Sequence, residues 1–351
     1  MIKRLLLWGL LVFPFSLSGG FNVEFTPDGP VTQKTKERPA AIVPVEGLVV
    51  VPLADLRQTP EPVSPQAVSQ KPYAADPHQE SQLLFGERVL IYEEKGPWLR
   101  VEAPDQTTFA PANRWQGYPG WVSAESVLVR PSNFFPVAVV ISRYAQVKQS
   151  KKMSSSFMEL PMGARVGVIY TEKGWVRVQG PKGEMGWMRA RDVRLDREAP
   201  TKTAEAREAF LAAVRQFLGD PYYVGGRSGH KKKGSIPSGV DCSAIVNVGF
   251  RAVSLNAPRD SHDQFLLARP LALGSDLRPG DLVFLAKKNA PDRIVHVMIF
   301  EKKETVIEAN LELNTVRRVS FKKKLGVSQN RVRSGSPAGD VVVRLGTFFD
   351  Q

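Results

Sequence analysis

Cysteine occurs once in the 351 residues, at Cys242, and histidine only four times, at His78, His230, His262 and His296. A lone cysteine excludes a disulfide within the chain and any multi-cysteine metal site. The histidines are scattered, with no ligand-spaced cluster, so neither a metal nor another cofactor is expected. The chain also lacks a good membrane span: the apolar stretch at residues 5–15 is short and is broken by Pro14. Acid is in deficit, with 35 Asp and Glu against 48 Lys and Arg, giving a net charge of +13. So basic a chain could serve nucleic acid, but no nucleic-acid motif is present and that partner is not expected.

Met1-Ile2-Lys3-Arg4, the apolar stretch and then Ser16-Leu17-Ser18-Gly19-Gly20 have the basic start, apolar core and small-residue exit of a secretory signal. Residues 1–18 are therefore expected to be a signal peptide, an uncleaved anchor being the alternative. No cysteine follows it, which excludes a lipoprotein anchor at that point. An exported protein of this charge, in the periplasm, cell envelope or outside the cell, would meet anionic envelope polymers. At 42% hydrophobic and 24% charged residues the chain can bury real cores, and its length suggests two or three domains.

Residues 19–46 read as an extended lead-in. From Gly47 onward short alternating runs indicate strands, and two segments repeat one another. Gly86-Glu87-Arg88-Val89-Leu90-Ile91-Tyr92 leads to Trp98 and then Gly120-Trp121; Gly163-Ala164-Arg165-Val166-Gly167-Val168-Ile169-Tyr170 leads to Trp175 and then Gly186-Trp187. The interval from Gly to Trp is 12 residues in both copies, which predicts a duplicated small β-barrel. Between its two tryptophans the first copy carries an insertion, predicted as a loop at about residues 104–116. Inserted loops on a scaffold are where binding is added.

Cys242 opens an apolar, helix-spaced run after a turn-forming stretch, so it is expected in the first turn of a helix. Free N–H groups there favour a thiolate, the form that attacks carbonyls. A packed, inert cysteine is the alternative. Of the histidines, His296 lies in Val295-His296-Val297-Met298-Ile299-Phe300, a strand-type run that would fix its ring. It is either a base for Cys242 or a satisfied core histidine.

Pro221-Tyr222-Tyr223-Val224-Gly225-Gly226, Asp241-Cys242-Ser243, Ala257-Pro258-Arg259-Asp260-Ser261 with Gln264, Leu277-Arg278-Pro279-Gly280-Asp281 and His296-Val297 together resemble the ordered motifs of NlpC-type cell-wall cysteine peptidases. The resemblance covers about residues 205–310, and Arg259-Asp260 is similar to the YkfC-like branch. It implies an α+β, papain-like catalytic domain at 198–351, a helix-borne cysteine on an antiparallel sheet. The two repeated segments for their part look like tandem bacterial SH3-like barrels at 47–130 and 131–197. The implied activity is cleavage of the γ-D-glutamyl bond to the diamino acid in peptidoglycan stem peptides, especially those with a free N-terminal L-Ala.

The resemblance further implies catalytic roles for Cys242 and His296. The family's usual third residue, a histidine, is replaced here by Glu308, which could still orient the imidazole, an exposed strand-end carboxylate being the other reading. Asn310 should share its face. Substrate contacts are implied for Tyr222, Asp241, Ser243, Asp260 and Ser261, with helix capping as the rival role for the last four. The first barrel would contribute Tyr118, in Gly117-Tyr118-Pro119-Gly120-Trp121, and Glu80 for the substrate amine; a barrel-surface aromatic and a plain surface carboxylate are the other readings. Lys322-Lys323-Lys324 reads as a solvated run. Two other functions stay open: a wall-binding protein with a degenerate peptidase domain, and an amidase or acyltransferase using the same thiol chemistry.

Overall fold

Alternation of apolar and polar residues generates strands from Val45, two residues earlier than the pattern at Gly47 suggested. The computed structural model describes residues 43–62, 76–131, 134–231, 238–272 and 276–349, with the backbone of the short pair Phe25–Thr26 and Gly29–Pro30. The expected signal, residues 1–18, and most of the lead-in lie outside the described residues.

The first sheet has seven strands in the order Gln79–Leu84, Leu53–Arg57, Arg114–Ser123, Trp98–Ala110, Arg88–Lys95, Val45–Val49 and Val127–Val129. Its inward residues, among them Val49, Leu56, Val89, Leu99, Val101 and Val122, form one apolar cluster. The second sheet orders Met185–Arg189, Trp175–Gln179, Arg165–Glu172, Ala138–Val140 and Val193–Leu195, with Tyr144–Val147 and Met158–Pro161 as a separate pair. It encloses its own cluster, into which Phe85 inserts. Both sheets are built around the repeated sequence, but among the described residues their hydrogen-bonded paths are open and no ring of strands closes. In the second copy an isolated Lys148↔Trp187 bridge links the strand pair to the five-stranded sheet, and the two parts share one apolar cluster.

The repeat explains two glycines. Gly86 and Gly163 occupy the same place in the two copies and both take positive φ, 76° and 87°. A side chain at Gly86 would meet the Arg165 carbonyl oxygen at 2.2 Å, so the position both turns the chain and lets the two sheets approach. The backbone N–H of Arg165 donates to the Phe85 carbonyl across the same junction, at 2.8 Å.

The predicted loop at 104–116 is instead the tip of a β-hairpin. Strands Trp98–Ala110 and Arg114–Ser123 continue pairing through Thr107↔Gly117 to Ala110↔Arg114, after a register shift between Ala103 and Thr107. The β-favouring run Thr107-Thr108-Phe109 opposite Trp115-Gln116 accounts for this, with Phe109 and Trp115 rings 5.2 Å apart.

The third sheet runs Arg269–Pro270, Val341–Thr347, Leu282–Lys287, Ala290–Lys302, Thr305–Asn310, Thr315–Ser320, with Pro337–Ala338 beside the second strand. All its pairings are antiparallel. Helix Cys242–Arg251 packs its apolar residues with Val297, Ile299, Ile307 and Ala309 of this sheet. Helix Thr203–Arg215 packs into the same cluster, its Phe210 stacked on Phe250 at 4.2 Å. The chain is thus mixed α and β, with a sheet-rich N-terminal region, and Val43 onward packs as one compact unit.

Candidate active site

Asp241 shapes the start of the cysteine helix. Its Oδ1 accepts from the Ala244 backbone N–H at 2.8 Å, capping the helix so that Cys242 becomes its first residue. The same carboxylate accepts from Gly225 N at 2.9 Å, from Ser243 Oγ at 3.1 Å and from Arg259, whose Nη2 donates at 2.6 Å and Nη1 at 3.1 Å. Five donors saturate a carboxylate that offers about four lone-pair sites. Asp241 therefore caps and ties, and keeps no acceptor for a substrate amine. Ser243 is held likewise, its Oγ accepting from Arg259 Nη1 at 3.0 Å and its carbonyl from Gln264 at 2.9 Å.

Cys242 is buried at 8% exposure, with the His296 ring and the Tyr222 hydroxyl near enough to act on its thiol. Burial and the adjacent Cys242 and Asp241 push the Tyr222 phenol well above its ordinary pKa, so it stays a protonated donor. The Tyr222 backbone N–H donates to Asn314 at 3.0 Å, fixing this loop against the turn after strand Thr305–Asn310.

His296 stands on strand Ala290–Lys302 and Glu308 on its neighbour Thr305–Asn310. The pairing Ile299↔Ile307 brings them within diagonal reach, and His296 Nε2 donates to Glu308 Oε2 at 2.8 Å. Burial alone would lower the His296 pKa, but the neighbouring Cys242 and the hydrogen-bonded Glu308 push it up to about 9. Glu308 is not an exposed strand-end group; it is fully buried. Burial opposes its charge, yet His296 and Lys324 hold its pKa down to about 2. Asn310 does share the face, its Nδ2 lying 3.4 Å from Glu308 Oε1.

Glu308 has two partners that the pattern of the sequence did not single out. Arg317 donates to Oε1 through Nε at 3.0 Å and Nη2 at 2.8 Å, and Lys324 Nζ lies 2.7 Å from Oε2. Arg317 sits directly opposite Glu308 in the strand register. Lys324 belongs to the run read as solvated: Lys322 and Lys323 are exposed, while Lys324 turns inward from helix Phe321–Leu325.

The first sheet supplies a second cluster. Tyr118, buried, donates to Asp260 Oδ2 at 3.0 Å and lies 3.5 Å from Glu80 Oε2. Asp260 starts helix Ser261–Leu267 but makes no side-chain cap, so its carboxylate is turned to Tyr118 instead. Burial drives the Asp260 pKa up to about 6; Arg259 opposes this and the Asp241 charge adds to it. Ser261 is the half-buried first residue of that helix. Glu80 and Tyr118 also line a groove of about 580 Å³ on the first sheet, together with Thr108 and Phe109 of the hairpin.

Three fixtures hold this cluster against the cysteine helix. The hairpin's Thr108 Oγ1 and Phe109 N donate to Asp263 Oδ2 at 2.7 and 3.1 Å. Arg259 Nε, buried, reaches Ser81 Oγ at 2.9 Å. Arg227 forks onto Glu87, both fully buried, with each contact at 3.0 Å. The remaining histidines play other parts: His262 Nδ1 accepts from Ile294 N at 3.4 Å, and His230 lies beside the Ser238 carbonyl at 3.2 Å. The neighbouring Lys231 is engaged by Glu159 and the Tyr144 ring of the second-sheet region. Among the described residues no group of three or more His, Cys, Asp and Glu is placed to hold a metal ion.

The NlpC/P60 family profile matches residues 219–342. The chain is 28% identical over 256 residues to the gamma-D-glutamyl-L-lysine dipeptidyl-peptidase of Bacillus subtilis, covering 70% of this chain and 79% of that protein. It is 26% identical over 228 residues to the protein of the same name from Bacillus cereus, covering 63% of this chain and 64%, less than two thirds, of the relative. An NlpC/P60 family protein from Bacillus cereus, solved by crystallography, shares the fold with a TM-score of 0.63 at 23% identity, over 79% of this chain and 94% of that one.

Proposed function

We propose that the chain, whose residues 219–342 match the NlpC/P60 family profile, is a cysteine peptidase that hydrolyses the γ-D-glutamyl–diamino acid bond of peptidoglycan stem peptides carrying a free N-terminal L-Ala. The observation that carries the reading is the pairing of two clusters: Cys242 beside His296, whose ring is hydrogen-bonded to Glu308, and Glu80, Tyr118 and Asp260 converging beside the same helix start. The names of the Bacillus relatives point to the same bond class.

In this reading His296 takes the Cys242 proton and the thiolate attacks the γ-carbonyl. The backbone N–H of Cys242, free at the helix start, faces the developing oxyanion, with Tyr222 as a phenolic donor beside it. The imidazolium passes its proton to the leaving amine, the C–N bond breaks, and a thioester to the γ-carboxyl remains on Cys242. Water, deprotonated by His296, then releases the acid and restores the thiol. Glu308 holds the ring and stabilises the imidazolium. The carboxylates of Glu80 and Asp260, with the Tyr118 hydroxyl, receive the α-ammonium of L-Ala, which an acylated amine could not satisfy. Ser261 adjoins this subsite.

Export on the signal at residues 1–18, SH3-like barrels built from the two open sheets, and a secondary attraction to anionic envelope polymers complete the proposal. No helix among the described residues is long and apolar enough to cross a membrane. The test is mass spectrometry of L-Ala-γ-D-Glu-diaminopimelate and its N-acetylated form incubated with the mature chain and with Cys242→Ala. The reading expects L-Ala-D-Glu from the free-amine peptide only, and only with Cys242 present. Retained binding without cleavage of either form would move the assignment to a wall-binding protein.

A further inference from the structure

A buried glutamate is an awkward partner for a catalytic histidine, because a bare carboxylate in an apolar setting stabilises the imidazolium strongly and discourages it from giving the proton up. Here Glu308 is not bare. Oε1 carries the Arg317 fork and Oε2 carries Lys324 beside His296. Two cations face one anion, so the far end of the hydrogen-bond chain is net positive rather than net negative. We propose that Arg317 and Lys324 are positioning residues for the reaction, a clamp that orients Glu308 and offsets its charge so that His296 is held in place yet remains able to act as an acid toward the leaving amine. This rests on the peptidase reading of the site.

The division of labour follows from the geometry. Arg317, opposite Glu308 in the register, converges two donors on one oxygen and anchors that end of the carboxylate. Lys324 is a point charge on the other oxygen, the one that His296 uses. Removing Lys324 therefore leaves orientation to Arg317 and isolates the charge effect. The groups facing the pair from the surrounding elements are few: Cys242 from the cysteine helix, Tyr222 from the preceding loop, Asn310 from the strand of Glu308, and Arg317 and Lys324. From helix Ser261–Leu267, His262 meets only the Ile294 backbone, and Asp263 is turned to Thr108 and Phe109. None of these would replace the missing cation.

The experiment follows the His296 ring titration by NMR in the full chain, with the signal assigned by its loss in His296→Gln, for wild type, Lys324→Met, Lys324→Gln and Lys324→Arg. Loss of one cation this close to the carboxylate is expected to raise the His296 titration midpoint by about one pH unit in the Met and Gln variants. Lys324→Arg should restore it, and the alkaline limb of peptide hydrolysis should move with it. A lowered melting temperature with an unmoved midpoint, or a downward shift, would overturn the clamp. Because ring titration needs no substrate, failure of hydrolysis in the wild type would refute the peptidase reading without touching this result.

Discussion

Arg259→Met isolates the contact that fastens the first sheet to the cysteine helix. Arg259 is 1% exposed and gives two bonds to Asp241, one to Ser243 Oγ and one to Ser81 Oγ. Methionine matches its stem but leaves Asp241, itself 7% exposed, without its counter-charge. Breaking a buried ion pair by removing one partner costs roughly 3–5 kcal/mol. Asp241 keeps the N–H groups of Gly225 and Ala244 and the Ser243 hydroxyl, so the lower end applies, about 3 kcal/mol. For a unit of this size that corresponds to a fall in melting temperature of about 4–5 °C. Calorimetry of Arg259→Met, of Asp241→Asn and of the two combined reads the effect. Asparagine still caps the helix and carries no stranded charge, so the double variant should recover at least half of the loss. A single-variant loss under about 1 kcal/mol, or a double variant as unstable as the sum of its singles, would refute the reasoning.

The pH dependence follows from the two shifted groups at the site. With the His296 pKa raised from 6.5 to about 9, kcat/KM should fall above about pH 9 as the imidazolium is lost, a limb that a pH–rate profile would place directly. In stability, Glu308, lowered from 4.5 to about 2, contributes fully above 4.5 and loses its contribution as pH falls through about 2. His296 contributes fully below 6.5 and loses its contribution as pH rises through about 9, so their joint support is greatest between pH 4.5 and 6.5, which denaturant midpoints across pH would check. Phe250→Ala removes a ring stacked on Phe210 and packed near Phe348 and Phe349, and should cost about 3–5 kcal/mol in chemical denaturation. Asp260→Asn and Tyr118→Phe should each raise KM for the free-amine peptide more than they lower kcat, and narrow its advantage over the N-acetylated form; equal losses on both peptides would place the cluster outside the amine subsite.

Much of the site was legible because its chemistry is scarce in the sequence. One cysteine and four histidines leave few pairings, and the strand-type run around His296 selected one of them. Period-two alternation placed Glu308 and Asn310 on one face, and they are in contact. What stayed hidden depends on distant segments meeting. Nothing local links Arg259 to Asp241, 18 residues earlier, or to Ser81, 178 residues earlier. The hairpin at 104–116 read as a loop because its polar Thr107-Thr108 looks like an insertion until its pairing with Gln116 and Gly117 is seen. Lys324 was legible in principle: with Phe321 and Leu325 buried, helical spacing turns Lys324 inward while Lys322 and Lys323 face solvent. A run of three like charges masked that periodicity. Barrel closure was the finest point of the repeat, and the sheets carry the repeated glycines and tryptophans without a closed ring among the described residues.

Covalent chemistry at Cys242 is read by intact-protein mass spectrometry after rapid acid quench. During turnover of L-Ala-γ-D-Glu-diaminopimelate a fraction of the chain should carry one L-Ala-γ-D-Glu acyl group, mapped by digestion to the peptide containing Cys242 and absent from Cys242→Ala. Hydrolysis of the same peptide by Cys242→Ala at the wild-type rate would contradict it.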